Sequence, residues 1–261
     1  MIELETVALG WPEAPQVQSA LSLRIGDGEK VALMGGNGCG KSTVLQMLAG
    51  LVFPCHGVYR YRDQAVTPAQ LRRRAWVRGF RRDVGLLFQH PEAMLFNATV
   101  GDEIAWGPRR LGWPDADARA QQWAQTLGLE ALFDIPPHRL SGGEKQKLAL
   151  ACVLVLEPEL LLLDEPTANL DPQTAGWLCD YVLGLSGTVV ISTHSIQLAA
   201  ECTQRCIVLE RGSGIAFDGK IHQLLADPEL LVRVGLAYRH RHSTRDAPLQ
   251  AREHWHWRFG A

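Results

Sequence analysis

Gly35, Gly36, Gly38 and Gly40 are interleaved with Asn37 and Cys39 and run directly into Lys41, Ser42 and Thr43. Glycine lets a backbone wrap closely enough for its N–H groups to point at phosphate oxygens. A short apolar run, Lys30–Met34, precedes the glycines, and helical spacing at Val44, Leu45, Leu48 and Leu51 follows them. A strand, a glycine loop and then a helix is the setting such a loop needs, because the helix adds its positive N-terminal end. In that setting Lys41 reaches the β- and γ-phosphates of a nucleotide, Ser42 ligates Mg²⁺, and Thr43 bonds the α-phosphate side. The predicted ligand pair is ATP and Mg²⁺.

Three further groups fit the same chemistry. Leu160–Leu163 ends in Asp164 and Glu165. A carboxylate at the end of a buried strand is placed to hold the Mg²⁺ shell, and the next residue, Glu165, can polarise an attacking water. His194 ends the apolar run Val189–Thr193, and ligands bind at the carboxyl ends of strands in parallel sheets. There it would contact the γ-phosphate and sense its loss. Gln89 ends the run Val84–Phe88, where its amide could touch Mg²⁺ and the attacking water.

Ser141, Gly142 and Gly143 stand just ahead of a helical pattern. A hydroxyl and backbone N–H groups at a helix N-terminus make a second anion site. One chain then carries two phosphate-binding elements for one nucleotide. A head-to-tail dimer about a two-fold axis, in which each Ser141 segment completes the partner's site, resolves this. The second subunit can be an identical chain or a paralogue.

The elements that position these residues follow from periodicity. Ile2–Val7 and Val17–Ile25 read as strands, and Val58–Tyr61 as an edge strand. Leu160–Leu163 and Val189–Ser192 are apolar on both faces, as buried parallel strands are, with a helix over Thr174–Leu183 between them. This βαβ alternation predicts an α/β fold with a doubly wound, mainly parallel core. Residues 91–156 are mainly helical and predict an inserted helical subdomain, with Ala120, Trp123, Ala124 and Leu127 on one helix face. Cys206–Glu210 and Gly214–Asp218 predict a closing hairpin.

The chain has 261 residues with 46% hydrophobic residues, enough for one large α/β domain and a smaller appended subdomain. A net charge of −2 gives no global pull toward nucleic acid. Six cysteines without a CxxC spacing predict reduced thiols in a cytosolic setting. The acidic, alternating N-terminus does not read as a signal peptide, and the chain holds no apolar run of the roughly 18 residues a membrane span needs. Arg72, Arg73, Arg74, Arg78, Arg81 and Arg82 form a basic cluster, read as a solvated loop or as a contact for acidic lipid or an acidic partner. From about Leu236 the composition turns to Arg, His and aromatics. His240, His242, His254 and His256 there suit Ni²⁺ or Co²⁺, or pack as part of a basic aromatic tail.

Over residues 1–225 the chain resembles the ATP-binding-cassette ATPases, leaving 226–261 as an extension of uncertain order. The matching stretches are GGNGCGKST (35–43), LLFQHPE (86–92), LSGGEKQKLALA (140–151), LLLLDEPTANLD (160–171) and VVISTHS (189–195). The resemblance implies a P-loop NTPase core with an antiparallel β subdomain and an inserted helical subdomain. It also implies that Trp11 stacks on adenine, that Asp171 belongs to the loop crossing the dimer interface, and that Lys147 stands where Arg is usual. The stretch Phe88–Pro108 is similar to the ATPase subunits of energy-coupling-factor importers, which take up vitamins or ions such as cobalt and nickel. Glu92, Ala93 and Met94 replace the family's acidic pair and Gln. In that family this stretch receives a coupling helix. A transmembrane coupling subunit, a substrate-binding membrane subunit and a position on the cytoplasmic face of the membrane are therefore expected. A conventional importer, an exporter or a soluble ATPase of the same type are the alternatives.

Overall fold

In a computed structural model the chain is described over residues 1–11, 14–242 and 252–257, with side chains over 1–10 and 20–237. It opens with β1 (Ile2–Trp11), β2 (Ala14–Ile25), β3 (Lys30–Met34) and helix α1 (Lys41–Leu48). Next come β4 (His56–Tyr61), β5 (Gln64–Ala65), α2 (Pro68–Leu71), α3 (Arg74–Asp83) and β6 (Val84–Leu87). A helical stretch holds α4 (Val100–Leu111), α5 (Ala116–Thr126) and α6 (Gly142–Leu154). It is followed by β7 (Leu160–Asp164), α7 (Pro172–Gly184), β8 (Thr188–Ser192) and α8 (Ile196–Cys202). The last elements are β9 (Arg205–Glu210), β10 (Gly214–Gly219), α9 (Ile221–Leu225), α10 (Pro228–Arg233), β11 (Ala237–His242) and β12 (Arg252–Trp257).

Two sheets organise the fold. The larger runs β10-β9-β3-β8-β7-β6, parallel except for β10, which returns as the expected hairpin on β9. The smaller is antiparallel, in the order β2-β1-β4-β5. β4 is not a bare edge: the chain turns through Arg62 and Asp63, both left-handed, and β5 pairs back onto Arg60 and Tyr61.

The apolar runs explain the layering. Side chains alternate across a strand, so Leu160 and Leu162 enter the layer shared with α1 and the antiparallel sheet, where Leu45, Leu48, Ile2 and Tyr59 meet them. Leu161 and Leu163 enter the opposite layer, with Leu148, Leu178 and Leu198 of α6, α7 and α8. Every residue of β3, β7 and β8 is buried. Each such leucine stabilises the fold by about 1.5–3 kcal/mol relative to exposure, so the strand ends that carry the polar residues rest on a fully buried core.

Two findings depart from the sequence reading. Cys179 of α7 and Cys202 of α8 form a disulfide, so the expectation of six reduced thiols is corrected. The two helices pack with these buried side chains facing each other, Cα atoms 5.0 Å apart, a proximity that spacing in the chain does not reveal. Beyond residue 225, Leu230, Leu231, Val234 and Leu236 pack with Ala32, Met34, Cys206 and Val208, so the core continues through α10. Among the described residues no helix is long and apolar enough to cross a membrane.

Candidate active site

The glycine loop is held by close approaches at both ends. Gly35 has φ +139°, and a Cβ there would lie 2.5 Å from the Leu209 carbonyl oxygen, so only glycine fits between β3 and β9. Gly36 N–H donates to the Val234 carbonyl at 2.8 Å, which ties the loop to the end of α10. Gly40 caps α1 at φ 97° without a side-chain hydrogen bond, so no side chain competes for the first N–H groups of the helix. They remain available to an anion. Lys41 is buried, and its Nζ donates to the carbonyls of Gly35 at 2.9 Å and Gly36 at 3.3 Å. The ammonium is thus parked along the loop it serves. Burial pushes the Cys39 thiol up, against the opposing pull of Lys41.

The acidic pair is set by strand register. Asp164 ends β7 directly opposite Ser192, which ends β8. Ser192 Oγ donates to Asp164 Oδ1, and Glu165 N–H donates to the Ser192 carbonyl at 3.1 Å. Glu165 takes a left-handed φ of 46°, which turns its side chain away from the strand direction. His194 Nδ1 lies 2.9 Å from Glu165 Oε1, with Glu165 mostly buried and His194 about a third exposed.

One cavity gathers Asn37, Gly38, Gly40, Lys41, Ser42, Thr43, Gln89, Asp164 and Glu165. Its oxygen donors, the Ser42 hydroxyl, the buried Asp164 carboxylate and the Gln89 amide, are the hard ligands that suit Mg²⁺. An adjoining cavity shares Glu165 and adds His194, Thr167 and Ala168.

Ser141, Gly142, Gly143 and Asp171 are not brought to that cavity. Ser141 caps α6 in a reciprocal box: its N–H and Oγ both reach Glu144 Oε2 at 2.7 Å, and Glu144 N–H donates back to Ser141 Oγ at 3.3 Å. The Ser141 hydroxyl and N–H hold the Glu144 carboxyl below its ordinary range. Asp171 caps α7 through Thr174 N–H at 2.9 Å and its hydroxyl at 2.7 Å. Those Thr174 bonds, with Lys147 Nζ at 2.9 Å, hold the Asp171 carboxyl far below the usual carboxylate range. Gly143 lies under the Asn169 carbonyl, 2.9 Å from where a Cβ would be, so the Ser141 segment and the loop after Glu165 touch. Trp11 ends β1 opposite Ala14, but its side chain lies outside the described ones, as do those of the tail histidines.

Residues 19–168 match the family model described as ABC transporter. The chain belongs to that family. It is therefore an ATPase of the ABC type and binds ATP or ADP. It is 41% identical to the nickel import ATP-binding protein NikO of Rhodobacter capsulatus, over 90% of this chain and 94% of that protein. It is 34% identical to the energy-coupling factor transporter ATP-binding protein EcfA of Methanothermobacter thermautotrophicus, over 90% and 76%. Among solved structures, the dimeric post-hydrolysis state of the ATP-binding cassette MJ0796 bound to ADP and Pi superposes with a TM-score of 0.76 at 26% identity. That match covers 85% of this chain and 99% of that one.

The sequence reading of this ABC ATPase missed two contacts. Ser192, read only as the last residue of a strand, links Asp164 to the Glu165 backbone. Gln146, buried on α6, donates to the Pro166 carbonyl at 3.0 Å and so fixes the chain just after Glu165. The one sequence signal for Ser192 is a hydroxyl at a strand end matching Asp164, and register had to be known to use it.

Proposed function

We propose that this ABC ATPase works as a pair of chains, each offering its glycine loop to one ATP and its Ser141 segment to the ATP of the partner. The observation that carries this reading is the separation of Ser141 from the cavity that holds Lys41, Asp164 and Glu165. An exposed helix N-terminus with a hydroxyl and two glycines is an anion site facing outward. Two chains related by a two-fold axis give each cavity a second wall.

Within each site the roles are positional and electrostatic. The loop N–H groups and Lys41 hold the phosphates, and Trp11 at the end of β1 stacks on the base. Ser42, Gln89 and Asp164 would hold Mg²⁺, which neutralises phosphate charge. Glu165 orients the attacking water and takes up its proton charge, with His194 beside its carboxylate. Gln89, leading from β6 into the helical subdomain, passes the nucleotide state on. Asp171 and the Gly143–Asn169 contact carry movement between the two sites.

The work done is import through membrane subunits of the energy-coupling-factor type, with a transition-metal ion such as nickel or cobalt, or a vitamin, as cargo. The similarity of Phe88–Pro108 to that group and the relatives named for nickel import and energy coupling support this. The docking place is the exposed pair Phe96 and Trp106, whose rings meet edge-on at 5.3 Å. Buried Glu103 holds Phe96 outward by accepting from the N–H groups of Phe96 at 2.8 Å and Asn97 at 2.6 Å. The chain then sits on the cytoplasmic face of the membrane as a peripheral subunit.

Pull-down from detergent-solubilised native membranes tests this reading. A scaffold protein plus a substrate-binding membrane protein is the expected catch. A conventional permease pair with a soluble binding protein would overturn the subfamily, and no membrane protein at all would overturn the transport role.

A further inference from the structure

Helix α3 has two unlike faces. One is pinned to the domain: Trp76 stacks on Phe80 at 4.9 Å, Phe80 meets Tyr61 edge-on at 5.4 Å, and Trp76 Nε1 donates to Gln64 Oε1 at 2.6 Å. At 3.6 residues per turn, Arg74, Arg78, Arg81 and Arg82 fall within an arc of roughly 100° on the other side, spread over about 12 Å of helix. All four are exposed, as are Arg72 and Arg73. Arg82 pairs with Asp83, the adjoining residue, at 3.3 Å. Among the described residues Arg78 Nη2 reaches only the Leu111 carbonyl, at 3.4 Å. Among the described residues Arg72, Arg74 and Arg81 form no ion pair.

Like charges four residues apart repel and weaken the helix that carries them. The row is therefore a cost to the isolated chain that an external anion would remove. Its surroundings indicate which anion. Leu111, whose carbonyl meets Arg78, ends α4, the helix that also carries the exposed Trp106. Arg78 thus ties the arginine face to the end of a helix that bears an exposed aromatic side chain. Exposed cationic and aromatic side chains are the composition of a protein surface at headgroup level. Guanidiniums spread along a helix face, instead of converging on a pocket, match a plane of phosphates better than a single bound one. The chain's net charge of −2 supplies no general attraction for nucleic acid, so the positive character is local.

We propose that the arginine face of α3 binds the anionic phospholipid headgroups of a membrane leaflet. The inference rests on the reading that this ATPase works against a membrane, but its test needs no membrane subunit. The full chain is sedimented with vesicles of phosphatidylcholine alone and of phosphatidylcholine mixed with phosphatidylglycerol. Binding to the anionic vesicles only is expected, weakening as salt is raised. A basic residue near such a surface contributes about fivefold to partitioning, so Arg74→Gln, Arg78→Gln and Arg81→Gln together should lower it roughly a hundredfold. The corresponding three Lys substitutions keep the charge and should retain most of the binding. ATP turnover in solution should be the same in all three proteins.

Equal binding to both vesicle types, or undiminished binding of the Gln variant, overturns the proposal. Absent vesicle binding, with the Gln variant losing a membrane subunit in lipid-free detergent, would replace lipid by an acidic protein surface. Anionic vesicle binding by a chain that captures no membrane subunit would keep this inference and remove the transport reading.

Discussion

The two helix ends proposed to hold phosphate are built in opposite ways. The glycine loop grows out of β3, whose residues are all buried, and is clamped by Leu209 from β9 and Val234 after α10. Its helix, α1, has no side-chain cap. The Ser141 segment sits exposed at the start of α6 and is satisfied by its own Glu144. Among the described residues no side chain caps the helix end beside Lys41, Asp164 and Glu165. A capped end on the surface is stable alone and can exchange a local carboxylate bond for a partner's phosphate. In the proposed pair the first end is a rigid receptor and the second an adaptable wall, as a site completed only on closure requires.

The most damaging change should be at the rigid end. Lys41→Ala is expected to cut ATP turnover by about a thousandfold or more, as loss of a buried phosphate contact does. Steady-state phosphate release would check this, and near wild-type turnover would remove Lys41 from its role. Glu165→Gln should slow hydrolysis by about 10²–10³-fold while ATP still binds, because proton uptake is lost and charge placement is not. Measured nucleotide affinity and single-turnover rates separate the two effects.

The adaptable end is tested in mixtures. Chains carrying Ser141→Arg, combined with chains carrying Lys41→Ala, leave one intact composite site per heterodimer, with up to roughly half of wild-type turnover expected. Silence in purified heterodimers would count against independent composite sites. A smaller effect is expected at Ser192→Ala, which removes a bond to Asp164. A neutral or charge-assisted hydrogen bond of this kind contributes about 1–3 kcal/mol, so turnover should fall several-fold to about a hundredfold, with a changed Mg²⁺ dependence.

The smallest effect concerns pH. The folded-state pKa of Asp171 is depressed, first by Thr174 and then by Lys147. Its contribution to the α7 cap is therefore fully present above the ordinary carboxylate range and is lost only as pH falls through the depressed value. The thermal stability deficit of Asp171→Ala should be constant near neutrality and shrink in strong acid. A deficit that grows on acidification would reverse the sign of this account.

Much of the rigid end was legible in the sequence. Lys30–Met34 announces itself as a short apolar run before the glycines, and Leu160–Leu163 and Val189–Ser192 announce buried parallel strands by being apolar on both faces, with polar residues at their ends. Contacts between strands were not legible. Ser192 meets Asp164 only because β7 and β8 pair in one register. Gly36 meets Val234 across about three quarters of the chain, and Cys179 meets Cys202 because two helices pack together. The arginines of α3 were visible as a cluster, but their gathering on one face needed the helix and its aromatic anchor, Trp76 and Phe80.

The most direct test of the central claim is the mass of Glu165→Gln in solution, by light scattering, with and without ATP and Mg²⁺. A chain that is monomeric alone and doubles in mass with ATP, but not when Ser141→Arg is added, is the predicted result. A monomer under all conditions, with ATP shown to be bound, would contradict the composite site.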